Sequence, residues 1–330
     1  MTASVRSKLG LTVAALVAVL VLAACGGGDS SSSSSDKGES AADAKANAVA
    51  VNKLVKQAFG TNEKARSGKV NATIDIDVKG VPRWKDPIEI SLDGAYELQP
   101  GETVPDFNLE ASLLLRDQAY GASLLLVDGK AYIQVGTTGY RQSDAIAAKI
   151  ASPAPAKRNG LTKTAGMFYL NPQSWRENTK IVGDTDTAGE PTVHVTTGIR
   201  ADRFFRDMSR LVDLLTALRV TEISGLPTAI TAQQQKALVR GVKLAKADAY
   251  FGKTDHVLRK AHLVGAVVIK PKDRKTVGGM KSAKATADFN ITDVGEPQNI
   301  KAPSELGSDA DLQITLDALA ESIQKARGTK

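Results

Sequence analysis

Cysteine is all but missing from this 330-residue chain: Cys25 is the only one. No disulfide can close within the chain, which excludes a small cystine-stapled scaffold. Zinc sites built on two or four cysteines are excluded with it. Histidine is scarce as well. His194, His256 and His262 are the full complement, and none has a second His at metal-ligand spacing. Equally absent are a G-x-S-x-G elbow, a Walker loop, an H-E-x-x-H helix and a dinucleotide-binding glycine fingerprint. These absences argue against an enzyme, and nothing in the chain calls for a cofactor or a metal. Neither sign of charge dominates: 43 Lys and Arg face 36 Asp and Glu, a net +7, or +5 without Arg6 and Lys8. The densest basic run, Lys270 to Lys275, has no aromatic side chain among its charges. It reads as a solvated hairpin tip rather than a nucleic-acid or phospholipid contact.

No apolar run is long enough for a secure membrane span. Leu9 to Leu22 is about the length of a signal-peptide core, and it follows a short basic head of Arg6 and Lys8. The run ends in Leu22-Ala23-Ala24-Cys25, which resembles the bacterial lipobox. The resemblance implies removal of residues 1–24 and thioether attachment of diacylglycerol to Cys25, chemistry that needs a thiolate. The expected location is the extracytoplasmic face of a bacterial cell membrane. Gly26-Gly27-Gly28-Asp29 and Ser30 to Ser35 follow, so 25–40 reads as a tether with no means to pack a core. Fully stretched it reaches roughly 50 Å, and its mean span is nearer ~20 Å.

Beyond the tether the pattern is that of a folded chain. Val51, Leu54, Val55 and Ala58 repeat at helical spacing within Ala41 to Phe59, with Gly60 as a stop. Val70, Ala72, Ile74, Ile76 and Val78 alternate with polar residues, as do Ile88, Ile90, Leu92, Tyr96 and Leu98. Leu113-Leu114-Leu115 and Leu124-Leu125-Leu126-Val127 are apolar on both faces and need cover on both. Asp128-Gly129 predicts a tight hairpin into Ala131 to Val135. Two readings stand for this half: a curved sheet with a helix-covered or ligand-filled inner face, or an ordinary sheet–helix core. A short helix is expected from Asp144 to Ile150. A hairpin follows, with Ile181 to Gly183 and Pro191 to Thr197 flanking the polar loop Asp184 to Glu190.

Ala201 to Leu218 is the clearest helix, with Phe204, Met208, Leu211, Leu215 and Leu218 on one stripe and Phe205 beside it. That stripe is either the core seam against the sheet or the lining of an apolar cavity. Thr231 and Gln234 match a capping box. Strands return at Leu244 to Phe251, His256 to Ile269 and Lys281 to Thr292, and a helix capped by Ser308 runs to Gln324 with Leu312, Leu316, Leu319 and Ile323 on one face. Helix, strands, helices, strands, helix is an α+β order with an antiparallel sheet in a single domain. Asp75-Ile76-Asp77 has the alternating carboxylates of a calcium loop, but strand alternation explains it better and no bidentate Glu follows.

Several of these segments together resemble the LppX/LprAFG family of actinobacterial lipoproteins, which is related in architecture to the LolA and LolB carriers. Leu125 to Ile133 is similar to the family's Asp-Gly-Lys hairpin, and Gly139-Tyr140 follows where an aromatic motif is expected. Asn171 to Trp175, Gly183 and Thr192 to Val195 match a second segment. Ala247 to Lys260 matches a third, and Asp293 to Pro303 the closing one. The resemblance spans about 45–303. It implies a strongly curved antiparallel sheet, a half-barrel, wrapping helices on its concave face, with an apolar cavity that accepts lipid or glycolipid acyl chains. On that basis 41–306 is the lipid-binding-like domain, and 307–330 is a helix past the family's usual end. The expected activity is non-enzymatic binding or transfer of lipids in the cell envelope. Ile74, Ile76, Leu113, Leu115, Leu124 and Leu126 would line the cavity, with Phe204, Phe205, Met208, Leu211 and Leu215 as a helical lid. The alternative is an envelope interaction module with a filled core, binding protein or polysaccharide through its surface. No nucleic-acid partner is expected.

Overall fold

The computed structural model describes residues 41–59, 63–82, 86–100, 102, 104–115, 118–151, 172–217 and 229–326. Cys25 and the tether lie outside them. The first helix, α1 (Ala41–Phe59), precedes β1 (Ser67–Lys79), β2 (Ile88–Glu97), β3 (Asp106–Leu115), β4 (Gln118–Val127), β5 (Lys130–Val135) and β6 (Thr138–Arg141). Then come α2 (Asp144–Ala151), β7 (Arg176–Thr187), β8 (Glu190–Ile199), α3 (Ala201–Ala217) and α4 (Ala232–Gly241). The chain closes with β9 (Val242–Gly252), β10 (Leu258–Val268), β11 (Ser282–Thr292), β12 (Glu305–Leu306) and α5 (Asp309–Ala326).

All twelve strands form one open, curved sheet in the order β12-β6-β5-β4-β3-β2-β1-β11-β10-β9-β8-β7. Every pairing is antiparallel except β12 with β6. This is the α+β half-barrel. In β1 the expected alternation is present: Val70, Ala72, Ile74, Ile76 and Val78 are buried, and the polar residues between them are not. Direct pairing carries this parity across the sheet, placing Ile74 opposite Ile90 and Ala287. Consequently one face of the whole sheet builds the main core, where it meets Leu54 and Val55 of α1 and Phe204, Phe205, Met208 and Val212 of α3.

The doubly apolar strand β4 is covered on both faces, as its pattern requires. Leu124 and Leu126 point to the concave core, while Leu125 and Val127 join Tyr132 outside under Ile300. From there the chain wraps the sheet edge. Ile300 lies on the convex face, β12 pairs with β6 at the rim, and α5 settles on the concave side. Leu312, Leu316 and Ile323 of α5 pack there with Ile133, Tyr140, Leu113 and Leu124. Ser308 caps α5: its Oγ accepts from the Asp311 amide (3.2 Å), and its hydroxyl and amide donate to the Asp311 carboxylate (2.6 and 3.1 Å). The hydroxyl and backbone hydrogen bonds from Ser308 hold that carboxyl below its ordinary pKa.

The opposite edge is covered by α1. Asn47 Oδ1 accepts from the Ile181 amide of edge strand β7 (3.1 Å), and Arg176 donates to Asn52 (3.2 Å). The long edge strand β7 is thereby partly covered, while the other edge ends in the two-residue β12, which is too short to offer much of a template. Every residue of the described cores lies between Val51 and Ile323, so a chain starting at Asp36 keeps them whole.

One expectation needs correction. The polar stretch Asp184 to Glu190 is not a loop between short strands. β7 and β8 run through it to a two-residue turn at Ala188 (φ 54°) and Gly189 (φ 83°), with Asp186 Oδ1 accepting from the Gly189 amide (2.8 Å). An edge strand with solvent on one side tolerates such polarity. The second strand of the following pair starts at Leu258 rather than His256, because His256 sits in a turn with φ 58°.

Candidate functional site

An apolar pocket of about 80 Å³ opens on the concave face at the end of the sheet where β9 and β11 begin and β8 and β10 end. Its floor is a row of small residues. Gly265 of β10 lies directly between Ala245 of β9 and Ala285 of β11, with Ala283 and Ala287 alongside. A Cβ built on Gly265 would meet no atom within 4 Å. Ile76, Leu263 and Val267 rise from the sheet around this floor, and Phe204 and Phe205 of α3 close over it. The cause is steric. Where Ala and Gly occupy paired positions on three adjacent strands, an α-helix of ordinary diameter cannot fill the space above them.

The roof is held by a buried polar brace. Trp175 Nε1 donates to Asp207 Oδ2 (2.9 Å), and both side chains are almost fully buried. Arg210 approaches the other carboxylate oxygen at 3.5 Å. The Trp175 ring meets Phe204 edge-to-face at 5.3 Å, and Phe204 meets Phe205 in the same way at 5.1 Å. The 3₁₀ turn Pro172–Trp175 thereby sets the position of the first turns of α3.

Of the residues singled out from sequence, Ile76, Phe204 and Phe205 meet in this pocket. Ile74 and Met208 are fully buried in the adjoining core, and Leu126 belongs to the same core further along the sheet. Leu113 and Leu124 face the concave side beneath α5, away from the pocket. Leu115 lies on β3 and Leu211 and Leu215 on α3; their side chains lie outside the described residues. Sequence reasoning missed the floor. The one signal available was the alternation Ala283-Lys284-Ala285-Thr286-Ala287, in which the inward residue is always the smallest with a Cβ.

The convex face carries the titratable pairs. His194 Nε2 lies 3.0 Å from Asp248 Oδ1, and its ring stacks on Tyr250 at 4.6 Å. His262 Nδ1 lies 3.0 Å from Asp288 Oδ1. Burial raises the Asp248 carboxyl, but hydrogen bonds from His194 and Thr196 and the charge of Lys246 outweigh it and leave the pKa low. Among the described residues no group of three His, Cys, Asp or Glu could hold a metal ion, and no helix is long and apolar enough to cross a membrane.

No family model matches the sequence, and no curated protein matches it. Solved structures do. The chain is similar to LprF from Mycobacterium bovis at 13% identity, over 76% of this chain and 95% of that one, with a TM-score of 0.38. It is similar to the Mycobacterium tuberculosis lipoprotein LppX at 13% identity, over 79% and 100%, with a TM-score of 0.34. A putative outer membrane lipoprotein-sorting protein domain from Vibrio parahaemolyticus matches at 8% identity, over 84% and 99%, with a TM-score of 0.21.

Proposed function

We propose that the chain is a lipid-anchored protein of the bacterial cell envelope that binds a lipid or glycolipid by taking the end of one acyl chain into the pocket under α3. The observation that carries this reading is the pocket lining. Apart from Lys284 and Thr286, whose side chains alternate to the convex face, the walls and floor are hydrocarbon. Such a surface offers no hydrogen bonds to water or to a polar substrate. It gains about 0.8 kcal/mol for each CH₂ it removes from water. The lipobox-like segment ending at Cys25 supports the address and the anchor.

Size limits the mechanism. A dry cavity of about 150 Å³ is known to hold benzene, and this one is smaller, at about 80 Å³. The closed pocket shelters a few terminal methylenes, so carriage of a whole lipid requires α3 to lift from the Ala-Gly floor. Phe204 and Phe205 would then move with the Trp175–Asp207 brace as hinge. The small volume also favours the second reading, an interaction module with a filled core, and the same experiment decides between them. A chain starting at Asp36 is produced in bacteria, purified without detergent, extracted with organic solvent and analysed by mass spectrometry. A stoichiometric acyl lipid supports the carrier. No lipid, together with no uptake of a fluorescent fatty acid by the folded protein, supports the interaction module.

A further inference from the structure

Among the described residues the two ends of the sheet differ in charge balance, one rich in unpaired lysines and the other richer in carboxylates. At the pocket end lie residues 77–82, 86–88, 240–246 and 268–284, at the junctions of β1 with β2, α4 with β9 and β10 with β11. Here Lys243, Lys270, Lys272, Lys275, Lys281 and Lys284 are all exposed, and none forms an ion pair among the described residues. The described carboxylates of these stretches are Asp77, Asp86 and Asp273. Lys79 binds Asp77 (2.8 Å) and Arg240 binds Asp273 (2.9 Å). Interleaved with the lysines are two exposed aliphatic side chains, Leu244 (45%) and Val268 (48%), and Leu244 borders the pocket itself. At the far end Glu102, Asp128, Asp184, Asp186, Glu190 and Glu296 are exposed. Exposed Lys64, Lys69, Lys130, Lys253 and Lys301 lie there too, but among the described ion pairs Lys69 answers Asp293, Lys253 answers Asp184, and Arg259 answers both Glu190 and Asp255.

We infer that the pocket end is a docking face for an anionic lipid bilayer. The lysines would lie over the headgroups, with Leu244 and Val268 dipping between them and the acidic end pointing away. Charge complementarity supplies the argument. A negative membrane surface attracts the lysine end, repels the carboxylate end, and so orients the molecule as well as holding it. Isolated lysines on a soluble face need no aliphatic neighbours, whereas an interfacial face uses both. The basic run that reads from sequence as a solvated tip is here one part of a larger surface, joined by Lys243, Lys281 and Lys284 from other elements. Geometry allows the contact. The strands are about 35 Å long, and a stretched tether reaches roughly 50 Å. The proposal rests on the envelope location given above but not on the pocket being filled.

The test is vesicle co-sedimentation of the chain starting at Asp36, with phosphatidylcholine alone or mixed with phosphatidylglycerol, at low and high salt. Binding is expected only to the anionic vesicles, weakened by salt. Lys243→Glu and Lys270→Glu should each weaken it by about fivefold or more, and Lys53→Glu and Lys130→Glu should not. Leu244→Ser and Val268→Ser should lower the binding that survives salt. Gly265→Val, which fills the pocket, should bind vesicles like the wild type; loss there means adsorption through acyl uptake and overturns the docking face. Failure of the wild type to bind anionic vesicles overturns it too, as does equal loss in the Lys53 and Lys130 variants. Equal affinity for a soluble polyanion, with the Leu244 and Val268 variants unchanged, would overturn it in favour of generic polyanion binding. Circular dichroism of each variant confirms that the fold is kept.

Discussion

Two strand glycines of this sheet should respond to the same substitution with opposite signs. At Gly265 a new side chain enters open space on the pocket floor. Valine there adds three carbons to the space bordered by Phe204, Phe205 and Ile76, which at about 0.8 kcal/mol per carbon stabilises by up to about 2 kcal/mol. The gain in β-propensity over glycine adds up to about 1 kcal/mol, and fixing one χ1 angle takes a few tenths back. A net gain of about 2 kcal/mol raises the melting temperature by about 4 °C or more in a domain of this size. At Gly94 of β2 a Cβ would collide with the Asn108 carbonyl oxygen and sit 2.9 Å from Leu109 Cα, both backbone atoms of the paired strand β3. Valine at Gly94 must push two strands apart and should destabilise by about 3 kcal/mol or more. Thermal unfolding followed by circular dichroism reads the stability, and titration with a fluorescent fatty acid reads the pocket. Gly265→Val should melt higher and take up less. A lower melting temperature for Gly265→Val would show that the space above the floor is already filled. A higher one with undiminished uptake would place the ligand somewhere else.

Asp207→Ala strands the buried Trp175 N–H and removes the brace under α3, so it should cost about 3 kcal/mol in denaturant unfolding and loosen fatty-acid binding in the same preparation. Burial pushes the Tyr96 phenol up to about 12, with Arg259 pulling slightly the other way, and its hydroxyl finds no hydrogen-bond partner among the described residues. Because the folded value lies above the unfolded one of about 10, this group's share of stability is intact below pH 10 and lost as pH rises towards 12. Tyr96→Phe should leave neutral-pH stability nearly unchanged and flatten that alkaline loss. Leu316→Ala, in the middle of α5, should destabilise by about 3 kcal/mol. It should also raise the fluorescence of a hydrophobic dye as the concave face beneath α5 becomes accessible.

What was legible in the sequence was whatever periodicity announces. The α1 limits, the β1 parity, the Asp128-Gly129 turn with both residues at positive φ, and the Thr231–Gln234 capping box are all present as expected. Large apolar residues at regular spacing declare which way they point. The pocket was harder to read because it is made of what is small. Ala245, Gly265 and Ala285 come from three strands, and only strand pairing brings them into one row. The covering of Leu125 and Val127 was equally hidden. Ile300 reaches them from more than a hundred residues away in a segment with no regular structure. Phe204 and Phe205 were identifiable as a stripe, but whether a stripe seals a core or roofs a space depends on the size of the residues opposite.

The way α1 is seated has a mechanical consequence. Among the described side chains of α1, Val51 is the first that is buried; Ala46, Val49 and Ala50 are exposed, and Asn47 accepts one hydrogen bond from the Ile181 amide of β7. Between Ala46 and Ala50 a pull along the helix would therefore break one described side-chain hydrogen bond before it reaches Val51. Unwinding residues 41–50 converts a rise of about 1.5 Å per residue into about 3.3 Å, which adds roughly 18 Å of slack. The sheet, the pocket and the core stay intact while that happens. Lengthening α1 in this way would let the sheet, the pocket and the core shift relative to the residues before Ala41 without unfolding.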